Sequence, residues 1–197
     1  ITISNRSHHI RVTGNTELWI KNSTFIDIPT MYDYIWGSNI LPFGINIQKT
    51  LHIHDSSFTG IINISSSLHD NLITGSEIYM KRCFLNMVNI SIMAVEGKIG
   101  IGNCRLYNHS SIELGDRILP PTSFSANFNY LNNSILQVGY VNGASISNNT
   151  FEGPDSYLEL GRSYPVMSQV DHNIFNRSGG IRLYNTNYND LSNYYIT

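Results

Sequence analysis

The chain has 197 residues, a length that suits one domain with a substantial hydrophobic core. Its formal net charge is −2 and 13% of its residues are charged, so it lacks the basic stripe that nucleic acid requires of a partner. No apolar run reaches the ~18 residues of a membrane-spanning helix, and no signal-peptide pattern is visible.

Asn, Ser, Ile and Tyr are abundant while Lys and Arg are scarce, so the surface is polar through amides and hydroxyls rather than charge. Such a surface suits an extracellular, cell-surface or virion setting. The cysteines, Cys83 and Cys104, are compatible with one disulfide or with two buried thiols. There is no CxxC, HExxH or phosphate-binding loop, and no cofactor is implied. The strand-like ends "ITIS" and "NYYIT" suggest that residues 1–197 are a single module of a longer protein.

From the N-terminus onward one short pattern recurs. Residues 19–27 read "WIKNSTFID", 52–60 "HIHDSSFTG", 130–137 "YLNNSILQ", 145–153 "SISNNTFEG" and 170–177 "VDHNIFNR". Anchoring each copy on the apolar residue after its polar triplet gives Phe25, Phe58, Phe84, Leu106, Ile135, Phe151 and Phe175. Irregular spacing of roughly 16–33 residues is the mark of a solenoid carrying insertions.

Before each triplet the pattern alternates. Leu18 and Ile20 flank Trp19, Leu51 and Ile53 flank His52, and Ala144 and Ile146 flank Ser145. Period two means strand. A second strand follows most anchors: "GINIQ" at 44–48, "IINIS" at 61–65, "SIELG" at 111–115, "YLELG" at 157–161 and "GIRLY" at 180–184. Together these predict an all-β parallel β-helix of seven or more coils. Each strand pairs with its copy about 4.8 Å along, giving a rod of roughly 35 Å. Leu18, Ile20, Leu51, Ile53, Ile99, Ile101, Ile146 and Val170 are expected to point inward with the anchors.

The polar triplet then reads as a turn whose first residue stacks in a column: Asn22, Asp55, Lys81, Asn103, Asn132, Asn148 and His172. Amides stacked at strand spacing form a hydrogen-bonded ladder, and Asn tolerates the left-handed backbone of such turns. Lys81 and His172 interrupt it. Eight N-x-S/T matches, at Asn5, Asn22, Asn63, Asn89, Asn108, Asn132, Asn148 and Asn176, follow mostly from turn composition. Asn22, Asn132 and Asn148 are expected to be shielded by the ladder.

These N-x-x-F triplets with alternating strands resemble the pectin-lyase-like right-handed parallel β-helix superfamily, which includes pectate lyases, polygalacturonases, phage tailspike depolymerases and many non-catalytic surface proteins. The resemblance covers nearly the whole chain. It implies a single-stranded, right-handed helix and engagement of a long polysaccharide along a strand face. The local N-x-D and D-D aspartates of polygalacturonases are absent. Asp27, Asp55 and Asp171 lie several coils apart, unlike the converging calcium ligands of pectate lyases.

Candidate site residues fall into three groups. Aligning the second strands places Glu113, Gln137, Glu159 and Arg182 in one outer column, with Asp116 on the adjoining loop 115–124. Two glutamates about 9.6 Å apart lie near the ~6.5–9.5 Å carboxyl separation of inverting glycosidases, so Glu113 and Glu159 are the expected acid/base pair, supported by Arg182 and Asp116. The insertion 29–43 carries Tyr32, Tyr34 and Trp36, a candidate sugar-stacking lip. The outer face of the first strands carries Trp19, His52 and His54, where His54 is a candidate acid or base near neutral pH. His52 and His54 share a strand face but have no evident third metal ligand, so no metal site is expected.

The function expected is engagement of a surface polysaccharide, by binding or by hydrolase- or lyase-type cleavage. The alternative is a non-catalytic structural or adhesive module of a surface or virion. The partner is then a polysaccharide or cell-surface glycan. Flanking domains or the partners of a homotrimer are expected to cap the ends.

Overall fold

A computed structural model describes residues 2–4, 10–11, 17–28, 44–47, 50–66, 77–93, 97–114, 121–139, 141–161, 168–183 and 194–196. Among them there are 22 β-strands and no α-helix, as the period-two pattern predicts.

The strands follow one another coil by coil. β1 (Thr2–Ser4) and β2 (Ile10–Arg11) come first, then β3 (Glu17–Lys21), β4 (Thr24–Ile28) and β5 (Gly44–Ile47). The next two coils hold β6 (Thr50–His54) with β7 (Ser57–Ser66), and β8 (Glu77–Lys81) with β9 (Phe84–Met93). Four coils of three separate strands follow. They are β10 (Lys98–Gly102), β11 (Arg105–Tyr107) and β12 (Ser111–Leu114); β13 (Ser123–Asn127), β14 (Tyr130–Asn132) and β15 (Ile135–Val138); β16 (Ala144–Ser147), β17 (Thr150–Glu152) and β18 (Tyr157–Leu160); and β19 (Ser168–Asp171), β20 (Ile174–Asn176) and β21 (Gly180–Leu183). β22 (Tyr194–Ile196) is last.

The first strands stack into a parallel eight-stranded sheet in the order β22-β19-β16-β13-β10-β8-β6-β3. The second and third strands form a 14-stranded parallel sheet, two rows joined because β7 and β9 each serve both. Their fused form follows from softened corners: Gly60 (φ 107) and Met87 (φ 52) turn the chain inside a continuous strand. The architecture is a parallel β-solenoid. Four consecutive coils have the full three-strand form, fewer than the seven or more regular coils expected, because the second corner is not a true break in β7 and β9.

Inward residues form columns. Ile20, Ile53, Met80, Ile101, Ala126, Ile146 and Val170 line one, all buried. The anchor column is Phe25, Phe58, Leu85, Leu106, Leu131, Phe151 and Phe175. Phe25 and Phe58 stack with centroids 4.7 Å apart, as do Phe151 and Phe175 at 4.8 Å. Two expected anchors are corrected. Phe84 points outward and is 46% exposed, with Leu85 in the core, and Ile135 belongs to a third strand, where Leu131 is the true anchor.

The turn column holds at five of its seven expected positions, with Arg82 in place of Lys81 and Phe128 in place of Asn132, while the hydrogen-bonded ladder is displaced by one residue. Asn22, Asp55, Arg82, Asn103, Phe128, Asn148 and His172 all have φ between 48° and 59°, forming an exposed left-handed corner. Lys81 and Asn132 are strand residues and do not belong to it. Asn22 and Asn148 are exposed, not shielded. The ladder is built by the next residue inward: Ser23, Ser56, Cys83, Cys104, Asn129, Asn149 and Asn173. Asn129 Nδ2 donates to Asn149 Oδ1 at 2.9 Å, and Asn149 Nδ2 to Asn173 Oδ1 at 3.0 Å. Each amide nitrogen also reaches a main-chain carbonyl, of Ile101, Ala126 and Ile146 in turn. The column continues through Cys83 N to Cys104 Sγ and Ser23 N to Ser56 Oγ. Both cysteines are buried and free.

Candidate functional site

Outward residues of the first strands run as parallel rows along the solenoid, because every pairing there is in register. One row holds Glu17, Thr50 and Glu77. The middle row holds Trp19, His52, Tyr79 and Gly100, and the third holds Lys21, His54, Lys81 and Gly102. The indole of Trp19 stacks on the His52 ring at 3.8 Å and 11°, and His52 stacks on Tyr79 at 5.5 Å and 19°. His54 meets Trp19 edge-on at 5.5 Å, and Lys21 Nζ lies 4.3 Å from the Trp19 ring centroid.

The acidic row fixes the rings. Trp19 Nε1 donates to Glu17 Oε2 at 3.3 Å, and the Tyr79 hydroxyl donates to Glu77 Oε2 at 2.9 Å. Each carboxylate sits two residues before its ring, on the same strand face. Burial, and then the Glu77 carboxylate, push the Tyr79 hydroxyl above its ordinary range, so it remains a donor.

The row of rings ends at a gap. In "KIGIG" (98–102) Ile99 and Ile101 face the core while Lys98, Gly100 and Gly102 face outward; Lys98 extends the acidic row, 4.0 Å from Glu77, and the two glycines leave the middle and third rows without a side chain in this coil. A Cβ at Gly100 would stand 3.0 Å from Tyr79 Cδ1 and 3.4 Å from Ser125 Oγ. The result is an open groove of about 440 Å³, with glycine as floor, Tyr79 and Lys81 as one wall, and Ser125 and Asn127 as the other. Tyr79 lies over Gly100, and Trp19, His52 and His54 line the same opening. Asn127 Oδ1 accepts from Ser147 Oγ at 2.8 Å, which orients the far wall. Glycine is a poor strand former. The strand persists because its isoleucines are buried and both edges are paired.

Charge across the groove is uneven. Asp55 is held by a two-pronged contact from Arg82, 2.6 Å from Nε to Oδ1 and 2.7 Å from Nη2 to Oδ2. That hydrogen bonding keeps the Asp55 carboxyl below its usual range. His54 titrates below the ordinary histidine range, chiefly through burial and then through His52, Arg82 and Lys21. Lys81 makes no ion pair among the described residues.

The structure brings Trp19, His52 and His54 together. Glu113, Gln137, Glu159 and Arg182 also share one register row, on the third strands. Gln137 separates the two glutamates and donates to Glu159 Oε1 at 2.9 Å. Arg182 stacks on Tyr157, 3.6 Å from the ring centroid, and makes no ion pair with Glu159. This row lies on a different face from the groove. Asp116, Tyr32, Tyr34 and Trp36 lie outside the described residues. No group of three potential metal-ligating His, Cys, Asp or Glu side chains occurs among the described residues.

Sequence reading missed Tyr79, Gly100, Gly102, Ser125 and Asn127. The signal was present in "EIYMK" and "KIGIG", both in phase with "ELWIK". It also missed a second aromatic cluster on the second strands, where Tyr107 lies diagonally between Phe84 and Tyr130 with centroids 5.4 and 5.7 Å away. The Tyr130 hydroxyl donates to Glu152, which pushes it above its ordinary range.

No family model matches the chain, and no curated protein or solved structure matches it.

Proposed function

We propose that the protein is an extracellular, cell-surface or virion β-helix that engages a polysaccharide in the groove over Gly100 and Gly102. The observation that carries this reading is the Tyr79 ring at the edge of a groove whose floor, Gly100 and Gly102, has no side chain, opposite the hydroxyl of Ser125 and the amide of Asn127. A pyranose has the matching chemistry, with an apolar C–H face for the ring and hydroxyls at its edge for polar groups. A site that is mostly apolar with a few oriented polar groups is the usual form of a small-ligand site. The parallel solenoid is compatible with the pectin-lyase-like superfamily, and the long outer faces of such a rod suit an extended glycan.

Binding is favoured over cleavage at this groove, because among the described residues no carboxylate pair converges there and Glu17 and Glu77 are committed to Trp19 and Tyr79. Cleavage, as a hydrolase or lyase, would fall to Glu113 and Glu159 on the third-strand face, with Arg182 and Asp116 in support. A structural or adhesive module is the second reading, favoured by the exposed apolar side chains Phe84, Met87, Phe128, Ile174 and Leu183.

The experiment is a panel of bacterial and plant polysaccharides tested for binding by calorimetry and for new reducing ends. Wild-type binding that Gly100→Val abolishes without lowering the melting temperature supports the groove. Binding unaffected by Gly100→Val removes it. Reducing ends lost in both Glu113→Gln and Glu159→Gln would move the function to cleavage.

A further inference from the structure

We propose that the row Lys21–His54–Lys81 is an anion subsite of the groove: it holds an acidic substituent (carboxylate, sulfate or phosphate) of a saccharide stacked on Tyr79, and His54 takes up a proton as it does so. This rests on the polysaccharide reading of the groove and adds its ligand charge and its response to pH.

The first support is register. Lys21, His54 and Lys81 stand one per coil on consecutive paired strands, beside the aromatic row and leading to Gly102 on the groove floor. A ring seated against Tyr79 therefore has Lys81 along one edge.

The second is how charges are already committed. Around His54, β3 supplies Glu17 and Lys21, β6 supplies His52 and the corner Asp55, and β8 supplies Glu77, Tyr79, Lys81 and the corner Arg82. Of the acids, Glu17 is bonded to Trp19, Glu77 to Tyr79 and Asp55 to Arg82. Glu17 and Glu77 face the opposite side of the aromatic row. The cations beside the groove have no such commitment: Lys81 makes no ion pair among the described residues, and Lys21 rests on the Trp19 ring. What remains on the groove side is positive and donor-rich, the complement of an anion.

The third is the environment of His54. Burial and its cationic neighbours favour the neutral imidazole in the free protein. An anion placed between His54 and Lys81 reverses that preference, since it replaces repulsion with an ion pair. Proton uptake then accompanies binding, so affinity rises as pH falls.

The test uses the whole chain with three probes, inorganic sulfate, neutral dextran and dextran sulfate, each at about pH 7.5 and about pH 5.5. The readouts are affinity and the nuclear magnetic resonance titration of the His54 ring. Sulfate and dextran sulfate should both shift the His54 resonance and raise its titration midpoint. Dextran sulfate should bind roughly threefold or more tightly at the lower pH. His54→Gln should flatten that pH dependence, and Lys81→Met should weaken dextran sulfate at both pH values, with melting temperatures unchanged. Sulfate that leaves His54 unmoved at both pH values, or a pH dependence that survives His54→Gln, overturns the anion subsite. If sulfate moves His54 but dextran sulfate binding ignores Gly100→Val, the subsite stands and the polysaccharide reading of the groove fails. If glycan binding is Gly100-sensitive but equal for dextran and dextran sulfate, the groove stands and the subsite fails.

Discussion

Asn149 lies one coil beyond Asn129, and its Oδ1 receives both the main-chain and the side-chain N–H of Asn129, each at 2.9 Å. The two amides thereby bridge consecutive coils on the inside of the corner. Asn149 Nδ2 also donates to Ala126 O at 2.8 Å, so its amide serves three buried partners.

Asn149→Ala should therefore lower stability by about 1–3 kcal/mol, since it leaves buried N–H groups unpaired. Asn148, its exposed neighbour with φ 57°, contributes its tolerance of that backbone and one exposed hydrogen bond, from Nδ2 to Ser147 Oγ at 3.2 Å. Asn148→Gly should stay within about 0.5 kcal/mol of wild type. Denaturant melts of both variants check this, and equal losses would contradict the assigned corner.

Phe58 and Phe84 separate the two faces of the wall. Phe58→Ala opens a cavity in the anchor column and should cost about 3–5 kcal/mol. Phe84→Ala removes a ring that is 46% exposed and should change stability by less than about 1 kcal/mol. A large loss from Phe84→Ala would return it to the core and shift the register of β9.

Gly100→Ala tests the groove more gently than valine does. Its methyl would meet the Tyr79 ring at 3.0 Å, so the ring must give way by a few tenths of an ångström. Polysaccharide affinity should fall by roughly tenfold, while the melting temperature moves little, since alanine suits a strand at least as well as glycine. Gly102→Ala, whose methyl would have its nearest neighbour at 3.6 Å, should be milder.

The thiols of Cys83 and Cys104 predict a chemical result. The side-chain hydrogen bond between the two thiols, and then burial, push the Cys104 thiol well up, so it stays protonated and enclosed, while the same side-chain bond lowers Cys83. Neither cysteine should react with an aromatic disulfide reagent at about pH 8 until the chain is unfolded. Because the unfolded chain ionises first, the stability linked to Cys104 is complete below the ordinary thiol range and is lost as pH rises through its raised folded value. Melts between neutral and alkaline pH should show a shallower loss in Cys104→Ala than in wild type. An equal slope would show that this thiol does not titrate differently on folding.

The parallel solenoid was legible because alternation and corner chemistry agree in most coils. "NSTF" and "NNTF" each place a left-handed residue, a ladder residue, an outward residue and an inward ring in that order. Two coils broke the reading. In "RCFL" the outward position holds Phe84, which looks like an anchor, and in "FNYL" Phe128 takes the left-handed corner where Asn is the usual choice. In that second coil "NNSI" at 132–135 imitates the first corner but forms the second, around the buried Ser134. The groove was harder to see. It is made by side chains that are missing at Gly100 and Gly102, and absence becomes a shape only once the neighbouring coils are in register.

That register makes the groove an integer quantity. Leaving two outer positions of one coil as glycine sets the backbones of the flanking coils two strand spacings apart, about 9.6 Å, with no side chain between them at those positions. Making Ser125 and Asn127 glycine as well would widen it to three spacings, about 14.4 Å, with no change in the inner columns. Such a wall admits guests in whole steps, like notches cut in a ruler. Selectivity for one chain or two side by side would then be set by how many consecutive coils are left blank.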